Sequence, residues 1–199
     1  MLKKSFLIIM ASTQVLAFLP NSFKTEYIQE FKSKVDKGNR KATGIFEYKY
    51  PSNLRLDQSQ PEKLLYVSNS KTTWIYRAPF FEDEAPEVTI HKGQETSLSN
   101  FFDILKAGLK TNAHYVVKLD KSMAKITFNK NAIRKTGVKS AQLVFDGKDK
   151  NFDKMKQIVI QYEDGRDVKL DLKNTKTNVN FSKKYFEFEV PKNAKIVRQ

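Results

Sequence analysis

Most of the chain after residue 20 alternates between apolar and polar positions with a period of two residues. Between residues 45 and 50, for example, Phe46, Tyr48 and Tyr50 share one side, while Glu47 and Lys49 share the other. Successive side chains of a strand point to opposite faces, so this alternation predicts strands that are buried on one face. Twelve such stretches are predicted, at residues 27–35, 45–50, 54–58, 64–68, 72–76, 87–90, 115–119, 125–128, 141–145, 157–162, 167–172 and 185–190.

The predicted strands are separated by residues that favour tight turns. Asp164-Gly165 has the composition of a hairpin turn, and the other separators are Pro51-Ser52-Asn53, Asn69-Ser70 and Asp146-Gly147. Many strands with few helices between them predict a mainly β fold with helices (α+β), built as a curved antiparallel barrel or half-barrel. The sequence contains no internal repeat and no long linker, so residues 18–199 are expected to form a single domain.

One helix is predicted in the segment that follows residue 96. Ser97 or Ser99 is expected to cap its start, and Gly108 to end it in the left-handed conformation. Its apolar residues recur on one face, at the spacing i, i+3, i+4, i+7 and i+11: Leu98, Phe101, Phe102, Leu105 and Leu109. We expect this stripe to cover the concave face of the sheet.

Residues 1–17 are interpreted as an export signal that is cleaved after Ala17. Lys3 and Lys4 form its basic end, and an apolar stretch follows from Phe6 to Leu19. The first alternative is a membrane anchor, but polar residues 12–14 interrupt the apolar stretch, which is shorter than the roughly 20 residues of a membrane span. An N-terminal helix of the fold is a further alternative. Export predicts a soluble, secreted protein.

The charge of the chain is strongly positive. Its 199 residues include 36 Lys and Arg against 22 Asp and Glu, a formal net charge of +14. Removal of Lys3 and Lys4 with the signal leaves 14 − 2 = +12. Such a charge favours nucleic acid, a phospholipid surface or an acidic protein as partner. The lysines are scattered over the polar sides of the strands and form no basic stripe, so we do not expect nucleic-acid binding.

The sequence offers little catalytic or metal-binding chemistry. It has no cysteine, and its two histidines are His91 and His114. No Gly-x-Ser-x-Gly motif presents a nucleophile. The acidic residues 82–84 and Glu87 lack the alternate spacing and the glycine of a calcium loop. We therefore predict a protein that is not an enzyme and that uses no cofactor or metal.

Fifteen phenylalanines and eight tyrosines stand out in this polar chain. A packed core accounts for most of them. A curved sheet that is covered by a single helix has limited means of filling its concavity, so a ligand cavity is the second interpretation.

Several linked stretches carry a resemblance to a known family. Residues 50–56 read Tyr-Pro-Ser-Asn-Leu-Arg-Leu, Pro61 follows, and residues 67–76 read Val-Ser-Asn-Ser-Lys-Thr-Thr-Trp-Ile-Tyr. Their order and spacing resemble the bacterial outer-membrane lipoprotein carrier family (LolA-like). Residues 162–165, 174–178 and 186–191 fit the same family more weakly.

The resemblance implies a half-barrel with an α-helical lid over a hydrophobic cavity that shields lipoprotein acyl chains. Such a carrier lies in the periplasm, takes its cargo from an inner-membrane ABC-type transporter and delivers it to an outer-membrane receptor or to the outer membrane itself. A monomer is expected. Because the chain has no cysteine that could be lipidated, the carrier is favoured over the lipid-anchored receptor of similar fold. The alternative is a general phospholipid-binding module that docks on anionic membranes.

Strand parity and family position together give the expected acyl-chain site. Its residues are Phe46, Tyr48, Tyr50, Leu54 and Leu56 on the cavity wall, Phe101, Phe102 and Leu105 on the lid, and Trp74, for which a structural role is equally open.

The chain departs from the family at two places that bear on the lid. Tyr50 stands where family members commonly have an arginine that helps to hold the lid. Only about ten residues separate Ala17 from Tyr27, where the family has an amphipathic helix. We therefore expect a more open cavity, governed mainly by the helix of residues 98–109.

Overall fold

The computed structural model describes residues 18–32, 39–81, 83–92 and 97–198, and the predicted export signal lies outside this part of the chain. Within it, the helices are α1 (Ser97–Leu105), α2 (Lys130–Thr136) and a short 3-10 helix at Phe152–Lys154. The strands are β1 (Ser22–Lys32), β2 (Asn39–Lys49), β3 (Asn53–Gln60), β4 (Leu64–Ser68), β5 (Thr72–Arg77), β6 (Glu87–Lys92), β7 (Tyr115–Asp120), β8 (Met123–Phe128), β9 (Val138–Phe145), β10 (Met155–Tyr162), β11 (Asp167–Thr177) and β12 (Lys195–Arg198).

All of these strands belong to one open sheet, in the spatial order β12-β6-β5-β4-β3-β2-β1-β11-β10-β9-β8-β7. Neighbouring strands are antiparallel except β12, which runs parallel to β6. Residues of β4 and of the turn after β10 line one groove, although four strands separate β4 from β10 in the sheet. The sheet therefore curls, and the predicted curved, mainly β fold is confirmed.

The predicted alternation appears as alternating burial along the strands. In β8, Ala124, Ile126 and Phe128 are buried, whereas the residues between them are exposed. The predicted hairpin turn at Asp164-Gly165 joins β10 to β11. Gly165 adopts φ +84°, the left-handed conformation for which glycine is favoured at such a turn.

The helices differ from the prediction in length and number. Helix α1 ends at Leu105, earlier than predicted, although Gly108 has the expected positive φ of +87°. Helix α2 was not predicted, because a helix of seven residues carries too little apolar periodicity. Its caps are nevertheless typical: the Asn129 side chain accepts from the Ala132 N–H at 3.0 Å, and Gly137 ends the helix in the left-handed conformation.

The main core lies between α1 and one face of the sheet, which we call the inner face. Phe102 of α1 packs against three aromatic rings of β1 and β2, at centroid distances of 5.5 Å to Phe23, 5.2 Å to Phe46 and 5.4 Å to Tyr48. Phe101 is equally buried and touches the ring of Phe128. Aromatic pairs at these distances stabilise a core beyond their buried area.

On the opposite, outer face of the sheet, residues 179–188 cover part of β4 and β5, and we call them the C-terminal strap. Phe181 and Phe186 of the strap pack on Leu65 and Val67. The predicted strand at residues 185–190 is therefore wrong, because these apolar residues pack on the sheet without joining it. The last strand is β12, whose four exposed residues show no alternation of burial that a sequence pattern could reveal.

A buried carboxylate holds the strap to the sheet. Glu47, only 2% exposed, accepts hydrogen bonds from the Tyr185 hydroxyl at 2.8 and 2.9 Å. The Lys24 Nζ lies 2.9 Å from the same carboxylate. Burial and the neighbouring carboxylate raise the pKa of Tyr185 to about 12. A buried charge with these partners fixes the position of the strap.

Candidate functional site

A groove of about 1060 Å³ opens on the inner face of the sheet. Helix α1 packs over the aromatic core on β1 and β2, and only its first turn reaches the groove, through Leu98. The apolar side chains of β3, β4 and β5 that line the groove are Leu54, Leu56, Leu64, Tyr66 and Ile75. The volume is at the upper limit of the roughly 300–1,000 Å³ of small-molecule sites.

The far wall of the groove comes from the end of α2 and the turn after β10. Tyr162, Asp164 and Arg166 line it there, together with Gly137. Arg166 is bound within its own turn, since its Nε lies 2.7 Å from an Asp164 oxygen and its guanidinium lies 5.0 Å from the Tyr162 ring centre. The hydrogen bonds from Arg166 hold the pKa of Asp164 below its usual value. Polar groups thus lie at the rim, and the sheet forms a mainly apolar floor, to which Gln29, Thr73 and His91 add polar side chains.

The structure brings two of the predicted site residues into this groove. Leu54 and Leu56 both line it, as strand parity indicates, but Leu54 is fully buried and also belongs to the main core. Five others are buried side chains of the main core: Phe46, Tyr48, Phe101, Phe102 and Leu105. The expected lid over an open cavity is not confirmed, because α1 covers a packed core through these residues.

Trp74 and Tyr50 lie away from the groove. Trp74 pairs with Val67 across β4 and β5 and packs beside the C-terminal strap, on the outer face. Tyr50 is 45% exposed at the end of β2, and the Lys106 ammonium lies 5.4 Å from its ring centre. In the place expected for an arginine, the chain thus has a cation–π contact between helix end and strand end.

Helix α1 is held to the sheet by Asp103. Its carboxylate accepts hydrogen bonds from the Tyr48 hydroxyl, from the Ser52 N–H at 3.1 Å and from the Ser52 hydroxyl at 2.7 Å. Burial, and then the hydrogen bond to Asp103, raise the pKa of Tyr48. One turn later, the Lys106 Nζ donates to the Leu19 carbonyl at 2.9 Å. A polar latch on the turn between β2 and β3 therefore fastens the helix.

Sequence reasoning missed several groove residues. Leu64 and Tyr66 of β4, like Thr73 and Ile75 of β5, alternate in the sequence, so the signal for a shared face was present. The residues from the turn after β10 had no such signal, because only the curl of the sheet brings them opposite β4.

The remaining candidate chemistry is dispersed. His91 lines the groove from β6, whereas His114 is exposed before β7. Of the acidic run, Glu87 faces Arg77 at 3.3 Å. Within the residues that the structure describes, no three His, Cys, Asp or Glu side chains are grouped so as to hold a metal ion. No helix in that part of the chain is long and apolar enough to cross a membrane.

Comparison with known proteins gives consistent relatives. The chain is 25% identical over 178 residues to an outer-membrane lipoprotein carrier protein of Pseudoalteromonas translucida, covering 88% of this chain and 80% of the relative. It is 27% identical over 177 residues to a protein of the same description from Glaesserella parasuis, covering 87% of this chain and 78% of the relative.

Among solved structures, an uncharacterized conserved protein of Thermus thermophilus aligns with 91% of this chain and 92% of its own, at 14% identity and a TM-score of 0.49. A LolA superfamily protein of Nitrosomonas europaea aligns with 85% of this chain and 91% of its own, at 12% identity and a TM-score of 0.44.

The family described as outer membrane lipoprotein carrier protein LolA matches residues 20–189. This range spans β1 to β11, both helices and the C-terminal strap. The chain belongs to the LolA family.

Proposed function

We propose that this protein is a periplasmic carrier that shelters the acyl chains of lipoproteins and moves them from the inner membrane towards the outer membrane. The observation that carries the proposal is the apolar groove of about 1060 Å³, on the inner face of a chain that belongs to the LolA family. The relatives' description as lipoprotein carriers supports the choice of cargo. In this proposal, export with cleavage after Ala17 delivers the chain to the periplasm.

Burial of the methylene groups of the acyl chain stabilises the proposed complex. Each buried methylene contributes about 0.8 kcal/mol, so an acyl chain cannot cross water without shelter. The groove floor offers such shelter at Leu56, Leu64 and Ile75, while its polar rim leaves the protein part of the cargo in water. Binding and release need no bond to be made or broken, so the proposed role is not enzymatic.

We further propose that α1 acts as a lid. Its displacement would open the aromatic core to acyl chains, so that Phe46, Phe101, Phe102 and Leu105 become binding residues. Burying the three α1 side chains Phe101, Phe102 and Leu105, at about 1.5–3 kcal/mol each, contributes about 4.5–9 kcal/mol, and about ten acyl methylenes contribute about 8 kcal/mol. The two amounts are similar, so cargo can replace the contacts that the helix loses.

The proposed partners are acylated lipoproteins, an inner-membrane ABC-type transporter that supplies them, and an outer-membrane receptor or the outer membrane itself. A monomer suffices for this role, because the groove is built within one chain.

Titration with a fluorescent triacylated lipopeptide tests the proposal. Ile75→Gln places a polar group on the groove floor outside the main core, and it should weaken binding at least tenfold. Leu119→Gln, at the exposed edge strand β7, should leave it unchanged. Equal binding of the acylated and unacylated peptides would refute the proposal, and so would a strong preference for free phospholipid.

A further inference from the structure

An exposed aromatic pair lies at the end of the sheet near the groove. Phe80 and Phe81, in the loop between β5 and β6, are 77% and 65% exposed. Their ring centroids are 6.2 Å apart. A single exposed apolar residue is ordinary, but two adjacent phenylalanines on a loop form the kind of surface that marks an interaction site.

Both ends of this loop are fastened to the sheet. The Ala78 N–H donates to the Lys63 carbonyl at 3.2 Å, and the Pro86 carbonyl accepts from the Lys195 N–H at 2.8 Å. Between them, the Glu84 N–H donates to the Phe81 carbonyl at 3.1 Å and closes a turn. The described ends of the loop are thus fixed to the sheet before any partner arrives, which lowers the entropy lost on binding.

The loop that carries the aromatic pair has a charge opposite to that of the chain. Its described residues include two carboxylates, Asp83 and Glu84, and no basic side chain. Arg77, at the end of β5, is already paired with Glu87 at 3.3 Å. The other basic residues beside the loop are Lys63 and Lys195, which meet it through backbone hydrogen bonds.

This charge distribution selects among partners. An anionic membrane would be repelled by the carboxylates beside the phenylalanines, whereas a basic protein surface would be attracted. We propose that Phe80 and Phe81 dock into an apolar pocket of a partner protein, and that basic residues at the rim of this pocket pair with Asp83 and Glu84. The proposal does not depend on what the groove carries.

A designed amphipathic peptide of leucine and lysine, and its leucine–glutamate counterpart, serve as probes for the full-length chain. The lysine peptide should bind at least tenfold more tightly than the glutamate peptide, although the chain has a formal net charge of +14. Raising the salt concentration should weaken this binding, because the carboxylates are exposed. Two double variants should each reduce it at least tenfold: Phe80→Ser with Phe81→Ser, and Asp83→Lys with Glu84→Lys.

Matched variants separate this loop from other apolar surface. Val116→Ser with Leu119→Ser removes an exposed pair from the opposite part of the sheet, and Ile75→Gln alters the groove, so both should bind the lysine peptide within twofold of the parent chain. Thermal unfolding checks that every variant is folded.

Four results would overturn the proposal. The first is binding of the lysine peptide that is unchanged in the two loop variants, and the second is equal binding of the two peptides. The third is loop-dependent binding to phosphatidylglycerol vesicles, and the fourth is loop-dependent dimerisation of the chain in sedimentation. Loss of lipopeptide binding in Ile75→Gln alone bears on the groove and not on the loop.

Discussion

Replacing Asp103 by alanine removes the polar latch between α1 and the turn after β2. The carboxylate accepts three hydrogen bonds there, from the Tyr48 hydroxyl and from the N–H and hydroxyl of Ser52. Tyr48 is fully buried, so its hydroxyl would lose its acceptor without gaining water. The helix would keep its apolar contacts but lose its fastening at the end of the sheet.

The expected loss is about 3 kcal/mol of unfolding free energy. A hydrogen bond to a charged group contributes about 1.5–3 kcal/mol, and an unsatisfied buried hydroxyl costs about 1–3 kcal/mol. Relief of the cost of desolvating the carboxylate offsets part of this sum. For a domain of this size, each kcal/mol lowers the melting temperature by about 2–4 °C, which gives a decrease of about 6–12 °C.

Urea and thermal denaturation followed by circular dichroism measure the change. Asp149→Ala, at an exposed loop position, is the matched control and should change stability by less than about 0.5 kcal/mol. Tyr48→Phe should restore part of the stability in the Asp103→Ala background, because the buried Tyr48 hydroxyl is then no longer left unsatisfied. A loss below about 1 kcal/mol in Asp103→Ala, or strict additivity of the two changes, would refute the latch.

Two further predictions concern a close contact between strands and the C-terminal strap. Gly44→Ala should cost more than about 2 kcal/mol of unfolding free energy, because the new Cβ would lie 2.2 Å from the Asp57 carbonyl oxygen. Gly147→Ala, at φ +84° in open space, should cost only about 1 kcal/mol. Urea denaturation compares the two variants, and equal losses would contradict the close strand contact. The pKa of Tyr185 is raised from 10.0 to about 12 beside Glu47. The stabilisation that the protonated Tyr185 hydroxyl provides is therefore complete below pH 10 and is lost as the pH rises towards 12. Tyr185→Phe should therefore lose less unfolding free energy than the parent chain between pH 10 and 12, and parallel pH profiles would disprove the link.

The sequence predicts the strands well because burial of one face of a strand makes apolar and polar residues alternate along the chain. In β8, the residues that alternate in polarity also alternate in burial. In β3, the alternating apolar residues Leu54 and Leu56 line the groove. Residues 185–190 show the limit of this reasoning. Phe186 and Phe188 alternate there because they pack on the outer face, and no neighbouring strand pairs with them.

The candidate site was only partly predictable. Alternation shows which residues share a face but not which face is the inner one, so the place of Trp74 depends on its pairing with Val67. Whether an apolar stripe lines a cavity or fills a core depends on distant residues. Phe102 fills the space above Phe46 and Tyr48, and no local pattern reports this.

Native mass spectrometry of the protein purified from a bacterial periplasm can identify the cargo, because a molecule bound in the groove is recognised by its mass. We predict a bound species with the mass of an acylated lipoprotein, and its loss in Ile75→Gln. Recovery of free phospholipid alone, or of the same lipoprotein in undiminished amount with Ile75→Gln, would contradict the claim that this groove carries lipoprotein acyl chains.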